Sequence, residues 1–170
     1  MALAVLALLG CTEAQGPNLR GPSYFRIAVD GQDAVIAAAQ AGCGDSGLIV
    51  AAASLASAIP DADVLQIHLH DLSRPATYSL GAVSTGRFAR THFLGPAGQS
   101  YATDSAAPGR LTVIGLDFTD SLIAGRFEFR LVSLINPGTG YDLTGSFRLP
   151  LGVIATVQHP EGTPCQAPPN

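Results

Sequence analysis

Two stretches near the end of the chain alternate so regularly that they can be buried in only one way. Leu122–Leu134 reads Leu-Ile-Ala-Gly-Arg-Phe-Glu-Phe-Arg-Leu-Val-Ser-Leu, and Tyr141–Leu149 reads Tyr-Asp-Leu-Thr-Gly-Ser-Phe-Arg-Leu. A period of two puts Phe127, Phe129 and Leu131 on one strand face and Arg126, Glu128 and Arg130 on the other, a separation that a helix would scramble. The connecting Asn136-Pro137-Gly138-Thr139-Gly140 has the residues of a hairpin turn. Pairing residue 136 with residue 140 predicts Phe129 opposite Phe147, Phe127 opposite Leu149, and Glu128 opposite Arg148 on the charged face. A slip of one residue would set Phe127 against Arg148 and mix the faces.

The same period runs along the rest of the chain. Tyr24–Val29 places Phe25, Ile27 and Val29 on one face and stops at Asp30-Gly31, a turn signal. In Asp63–His70, Leu65, Ile67 and Leu69 point inward while Gln66, His68 and His70 point the other way. Ala76–Leu80, Arg87–Leu94, Ser100–Thr103 and Leu111–Asp117 read as further strands. Residues 34–40 and 48–57 are rich in alanine, which favours helix, yet Val35-Ile36 and Leu48-Ile49-Val50 with glycine flanks favour strand; both are read as mostly strand. The expected fold is therefore all-β, a single antiparallel β-sandwich or flattened β-barrel of about 8–10 strands.

Length and composition agree with one such domain. The chain has 170 residues, of which 47% are hydrophobic and 13% charged, too apolar for a disordered polymer. The formal net charge is −4, and all nine basic residues are arginines scattered along the sequence. An acidic balance without a basic cluster argues against nucleic acid as a partner.

The N-terminus carries an address. Residues 1–10 form an apolar run far short of the roughly 18 residues that span a bilayer, which reads as a signal-peptide core. Leu8-Leu9-Gly10-Cys11 resembles the bacterial lipobox, in which the cysteine is lipidated and the signal is cut before it. No Lys or Arg precedes the run, a departure from that pattern: either the true start lies upstream of Met1, or the α-amino group is the only positive charge. The resemblance implies lipidation at Cys11, a membrane partner reached through an N-terminal lipid anchor, and a bacterial cell-envelope location. Each buried methylene contributes about 0.8 kcal/mol, so several acyl chains hold where one would be marginal. Thr12 stands where an Asp would resemble an inner-membrane retention signal, which favours the outer membrane. The segments then read as signal peptide 1–10, tether 11–22, β-domain 23–152 and C-terminal tail 153–170. Cys43 and Cys165 remain as an even pair in an oxidising space, either bridged or free.

A second resemblance rests on Asp30-Gly31, Ala76-Thr77-Tyr78, Gly125-Arg-Phe127-Glu-Phe129 and Gly145-Ser-Phe147-Arg-Leu149-Pro150. In that order the chain is similar, over about residues 23–150, to a widespread family of bacterial lipoproteins with an all-β domain of unknown function. These are turn and packing positions, so the resemblance implies a fold and no chemistry.

Three constellations could carry chemistry. Gly44-Asp45-Ser46-Gly47 resembles a serine-protease nucleophile motif, but no His precedes Ser46, and glycine, Asp and Ser are what a hairpin turn requires. His68 and His70 share a strand face, and His92 could add a third nitrogen for a metal; against this, Gln66 on the same face suits a plain polar surface. Arg126, Glu128, Arg130 and Arg148 form a charged row, either a solvated face with cross-strand pairs or a site for an anionic ligand. The expected function is a non-enzymatic, envelope-anchored module that binds or displays a small molecule, a glycan or an envelope protein, with no cofactor. Alternatives are a lipocalin-like carrier of a small apolar ligand and a metal-dependent enzyme using His68 and His70.

Overall fold

Eleven strands make up most of the backbone in the computed structural model, which describes residues 19, 21–36, 38–44, 47–53, 58–59, 63–70, 72, 74–92, 100–136 and 138–153. They are β1 (Tyr24–Val29), β2 (Gln32–Ala34), β3 (Ala38–Gly44), β4 (Gly47–Ala53), β5 (Val64–Leu69) and β6 (Ala76–Leu80), followed by β7 (Arg87–His92), β8 (Tyr101–Thr103), β9 (Gly109–Asp117), β10 (Leu122–Ser133) and β11 (Gly140–Val153). One 3-10 turn, Val83–Thr85, is the only helical element among the described residues. Of the alanine-rich segments, 34–40 is split, with Ala34 ending β2, Val35 and Ile36 outside any strand and Ala38 opening β3, while 48–53 lies in β4 and 54–57 lie outside the described residues.

The strands form one sheet in the order β2-β1-β11-β3-β4-β5-β7-β8-β10-β9-β6, and β10 pairs in addition with β11. That extra pairing closes β11, β3, β4, β5, β7, β8 and β10 into a ring, while β1, β2, β9 and β6 extend the sheet beside β10 and β11. The architecture is a flattened barrel built on two long strands. β11 spans 14 residues: Leu143–Arg148 pair with β1, and Leu151–Val153 then pair with β3 in the one parallel ladder of the described residues.

The weakest seam lies between β7 and β8, where the ladder consists of a single pair, Arg90 with Ala102. Buried threonines close it: the Ala89 amide donates to Thr103 Oγ1 at 3.3 Å and the Tyr101 amide to Thr91 Oγ1 at 3.1 Å. Side-chain oxygens replace missing ladder acceptors, so the buried amides stay satisfied.

The closing hairpin keeps the expected faces but not the expected register. Phe127 stands opposite Gly145 and Gly125 opposite Phe147, while Phe129 meets Leu143 and Glu128 meets Thr144. The two glycines supply the reason. A Cβ on Gly125 would lie 2.8 Å from Cζ of Phe147, and one on Gly145 would collide with the Phe127 ring. Each Phe lies over a glycine of the partner strand, and placing Phe opposite Leu149 or another Phe would forfeit that fit. The register shift is even, so inward and outward residues are unchanged.

A bulge at Ile114, between the pairs Gly125–Val113 and Ala124–Gly115, switches the parity of β9 midway. Leu111 and Val113 face the core before it, and Leu116 packs against the core after it. One continuous apolar cluster fills the interior, drawing Ile27, Val29, Leu143, Phe147, Phe127, Phe129 and Leu111 from one side and Val50, Leu65, Ile67, Leu69 and Ala89 from the other. Phe25, Phe127 and Phe147 meet there with ring centroids 5.7 and 6.2 Å apart, and Phe127 and Phe129 at 5.3 Å.

Candidate functional site

Outward residues of β1, β11, β10, β9 and β6 line up across the sheet in two adjacent rows. One reads Arg26, Ser146, Arg126, Thr112, Thr77; the next reads Ala28, Thr144, Glu128, Arg110, Ser79. Strands lie about 4.8 Å apart, so five side chains of one row span roughly 19 Å of surface. Thr77, Arg110, Thr112, Arg126, Glu128 and Thr144 line a shallow groove of about 400 Å³, floored by Phe127 and Gly145.

Ion pairing in this face is uneven. Arg110 Nε lies 3.6 Å from Glu128 Oε2, and Arg130 donates to Asp142 at 3.0 Å. The expected pair of Glu128 with Arg148 is not formed, because the register sets Glu128 opposite Thr144 and beside Arg110. Arg126 has no carboxylate within ion-pair distance among the described residues. Thr77 and Thr112 share a hydroxyl hydrogen bond of 3.0 Å, which orients both at one end of the groove.

Arg148 has a different task. Its Nε and Nη2 both donate to the Pro22 carbonyl, at 3.0 and 2.8 Å, and its guanidinium lies 5.4 Å from the Tyr24 ring centroid. Gly21, at φ +125°, passes so close that a Cβ would sit 2.8 Å from Arg148 Nη2. Leu19 covers Gly115 on β9. Residues 19, 21 and 22, expected in the tether, thus lie across β9, β10 and β11 on the same face as the groove, and bury Ala124 beneath them.

The histidines sit on another part of the sheet. His68 is buried at 5% exposure, stacked 4.5 Å from Phe88, with Nε2 3.2 Å from Gln66 Oε1. Arg90 Nε reaches the same oxygen at 3.4 Å. His68 Nε2 and Arg90 Nε thus converge on the one Gln66 amide oxygen. Burial lowers the Arg90 pKa from its usual value. His70 is exposed beyond the end of β5, its ring against Gly86. His92 pairs with Val64 while His68 pairs with Phe88, which separates the two histidines by four residues along the ladder, about 13 Å. The register does not bring the three together.

Gly44, the last residue of β3, pairs with Gly47, the first of β4; Asp45 and Ser46 lie outside the described residues. Cys43 belongs to β3 rather than to the turn, paired with Val153 of β11, where the C-terminal tail begins. Cys11 and Cys165 lie outside the described residues.

Sequence reasoning singled out Arg126 and Glu128 but missed Thr77, Arg110, Thr112 and Thr144. All four alternate with buried residues, so their outward direction was readable; their meeting depended on β6–β9 and β9–β10 pairings that local sequence does not specify. Compared with known proteins, the chain matches no family model, no curated protein and no solved structure.

Proposed function

We propose that this chain is an envelope-anchored lipoprotein whose β-domain is a non-enzymatic binding module, held at the outer membrane by lipid on Cys11. The observation that carries the reading is the division between a filled interior and a polar, concave exterior. Among the described residues, Phe127, Phe129 and Phe147, each under 5% exposed, take up interior space that a lipocalin-like carrier would keep for its ligand. Recognition then falls to the outer face, where strand-borne side chains hold fixed positions. A metal-dependent enzyme at His68 and His70 is less well supported, since His68 is buried against Phe88 and His92 stands four residues away along the ladder. Native mass spectrometry of the chain purified from membranes tests the choice between module and carrier. The module gives the mass of the anchored chain alone; a stoichiometric apolar molecule retained on it would favour the carrier.

A further inference from the structure

We propose that the groove on the outer face binds an acidic saccharide, with Arg126 as the residue that takes its carboxylate. The proposal deepens the binding-module reading and rests on it.

The lining sets the ligand's chemistry. Apart from the floor at Phe127 and Gly145, every residue lining the groove carries a hydroxyl or a charge, so a ligand there can be held by hydrogen bonds and ion pairs along its length. A polyhydroxylated ligand meets Thr77, Thr112 and Thr144, each able to donate and accept, and Glu128, which accepts only. A volume of about 400 Å³ is at the small end of small-molecule sites, and its open side lets a chain of sugars continue beyond it.

The charge comes from Arg126. Its neighbours in the charged faces are already matched, Arg110 with Glu128 and Arg130 with Asp142, while Arg148 is spent on the Pro22 carbonyl. Arg126 lies between Ser146 and Thr112 with no carboxylate partner among the described residues. A guanidinium left open beside hydroxyls fits one carboxylate through two parallel N–H···O bonds. Arg26, two strands away in the same row and about 10 Å distant, offers a second cationic position to the next acidic unit of a chain. The paired strands beneath fix all these positions before binding, which limits the entropy that the ligand must overcome.

Calorimetric titration of the full chain in detergent micelles tests this with trigalacturonate, its methyl ester, neutral galactotriose and inorganic phosphate. The expected order is trigalacturonate at least tenfold tighter than the ester or galactotriose, with phosphate weaker than trigalacturonate. Arg126→Gln should lose at least tenfold in trigalacturonate affinity, Arg126→Lys should recover only part, and Arg130→Gln, outside the groove, should change it less than twofold. Equal affinity for acid and ester, absence of trigalacturonate binding, or phosphate binding as tightly as trigalacturonate would each overturn the proposal, and none of the three needs a variant to fold. Binding is read without reference to lipidation, so an unlipidated chain that binds would sink the envelope reading alone.

Discussion

The Phe127 ring lies across Gly145 of the neighbouring strand, and on that contact depends the register of the longest hairpin in the protein. A Cβ at residue 145 would meet both the ring and the carbonyl of Arg26 on β1, and a backbone carbonyl on one side with a packed core ring on the other leaves no cheap relaxation. Gly145→Ala should therefore destabilise the domain by about 1–3 kcal/mol, the range for overpacking a well-filled site. Gly152→Ala, whose Cβ would find its nearest neighbour, the Ala41 carbonyl, at an ordinary 3.8 Å, should change stability by under about 0.5 kcal/mol. Urea unfolding of the two variants separates them, and equal losses would show that the ring does not seat on the glycine.

Phe129 and its neighbour Glu128 make the second comparison. The Phe is 4% exposed and packed in the aromatic cluster, whereas the Glu128 side chain is 64% exposed and its ion pair with Arg110 is a surface one. Phe129→Ala should cost about 3–5 kcal/mol and Glu128→Ala under about 1 kcal/mol. The same denaturation experiment reads both, and a comparable loss at Glu128 would contradict its solvated position.

How much of this was legible in the sequence depends on the range of the interactions. The strands were readable because alternation of the kind seen at 122–134 is local, and parity decides the faces whatever the pairing. The hairpin register was not readable from faces alone, since every even shift preserves them; glycines 125 and 145 decide it through close packing. The bulge at Ile114 and the strand order around β11 depend on contacts between segments distant in sequence, as does the meeting of Thr77 with Thr112. Arg148 is the clearest case. Its outward position was evident, but nothing near it in sequence signals a partner at Pro22.

That clamp yields a third expectation. Arg148→Ala removes two hydrogen bonds to the Pro22 carbonyl and should release residues 19–22 from the sheet at a cost of about 1–2 kcal/mol. Hydrogen exchange and limited proteolysis should quicken in that segment while the amides of β10 keep their protection. Unchanged protection at residues 19–22 would mean that Leu19 on Gly115 holds the segment by itself.

The β7–β8 seam supplies a fourth. Thr91→Val keeps the shape but deletes the hydroxyl that accepts from the Tyr101 amide, a hydrogen bond worth about 0.5–1.5 kcal/mol. Exchange at the Tyr101 amide should accelerate well before that of the β10–β11 ladder. Exchange at the same rate in both proteins would show that the seam does not depend on Thr91.

The account as a whole turns on a domain working at a membrane surface from a lipid on Cys11. Metabolic labelling with a fatty acid, followed by membrane fractionation of wild type and Cys11→Ser, tests this most directly. The account predicts a labelled wild-type chain in the membrane fraction and an unlabelled variant lost from it; a wild type that takes up no label, or a variant that stays with the membrane, would contradict it.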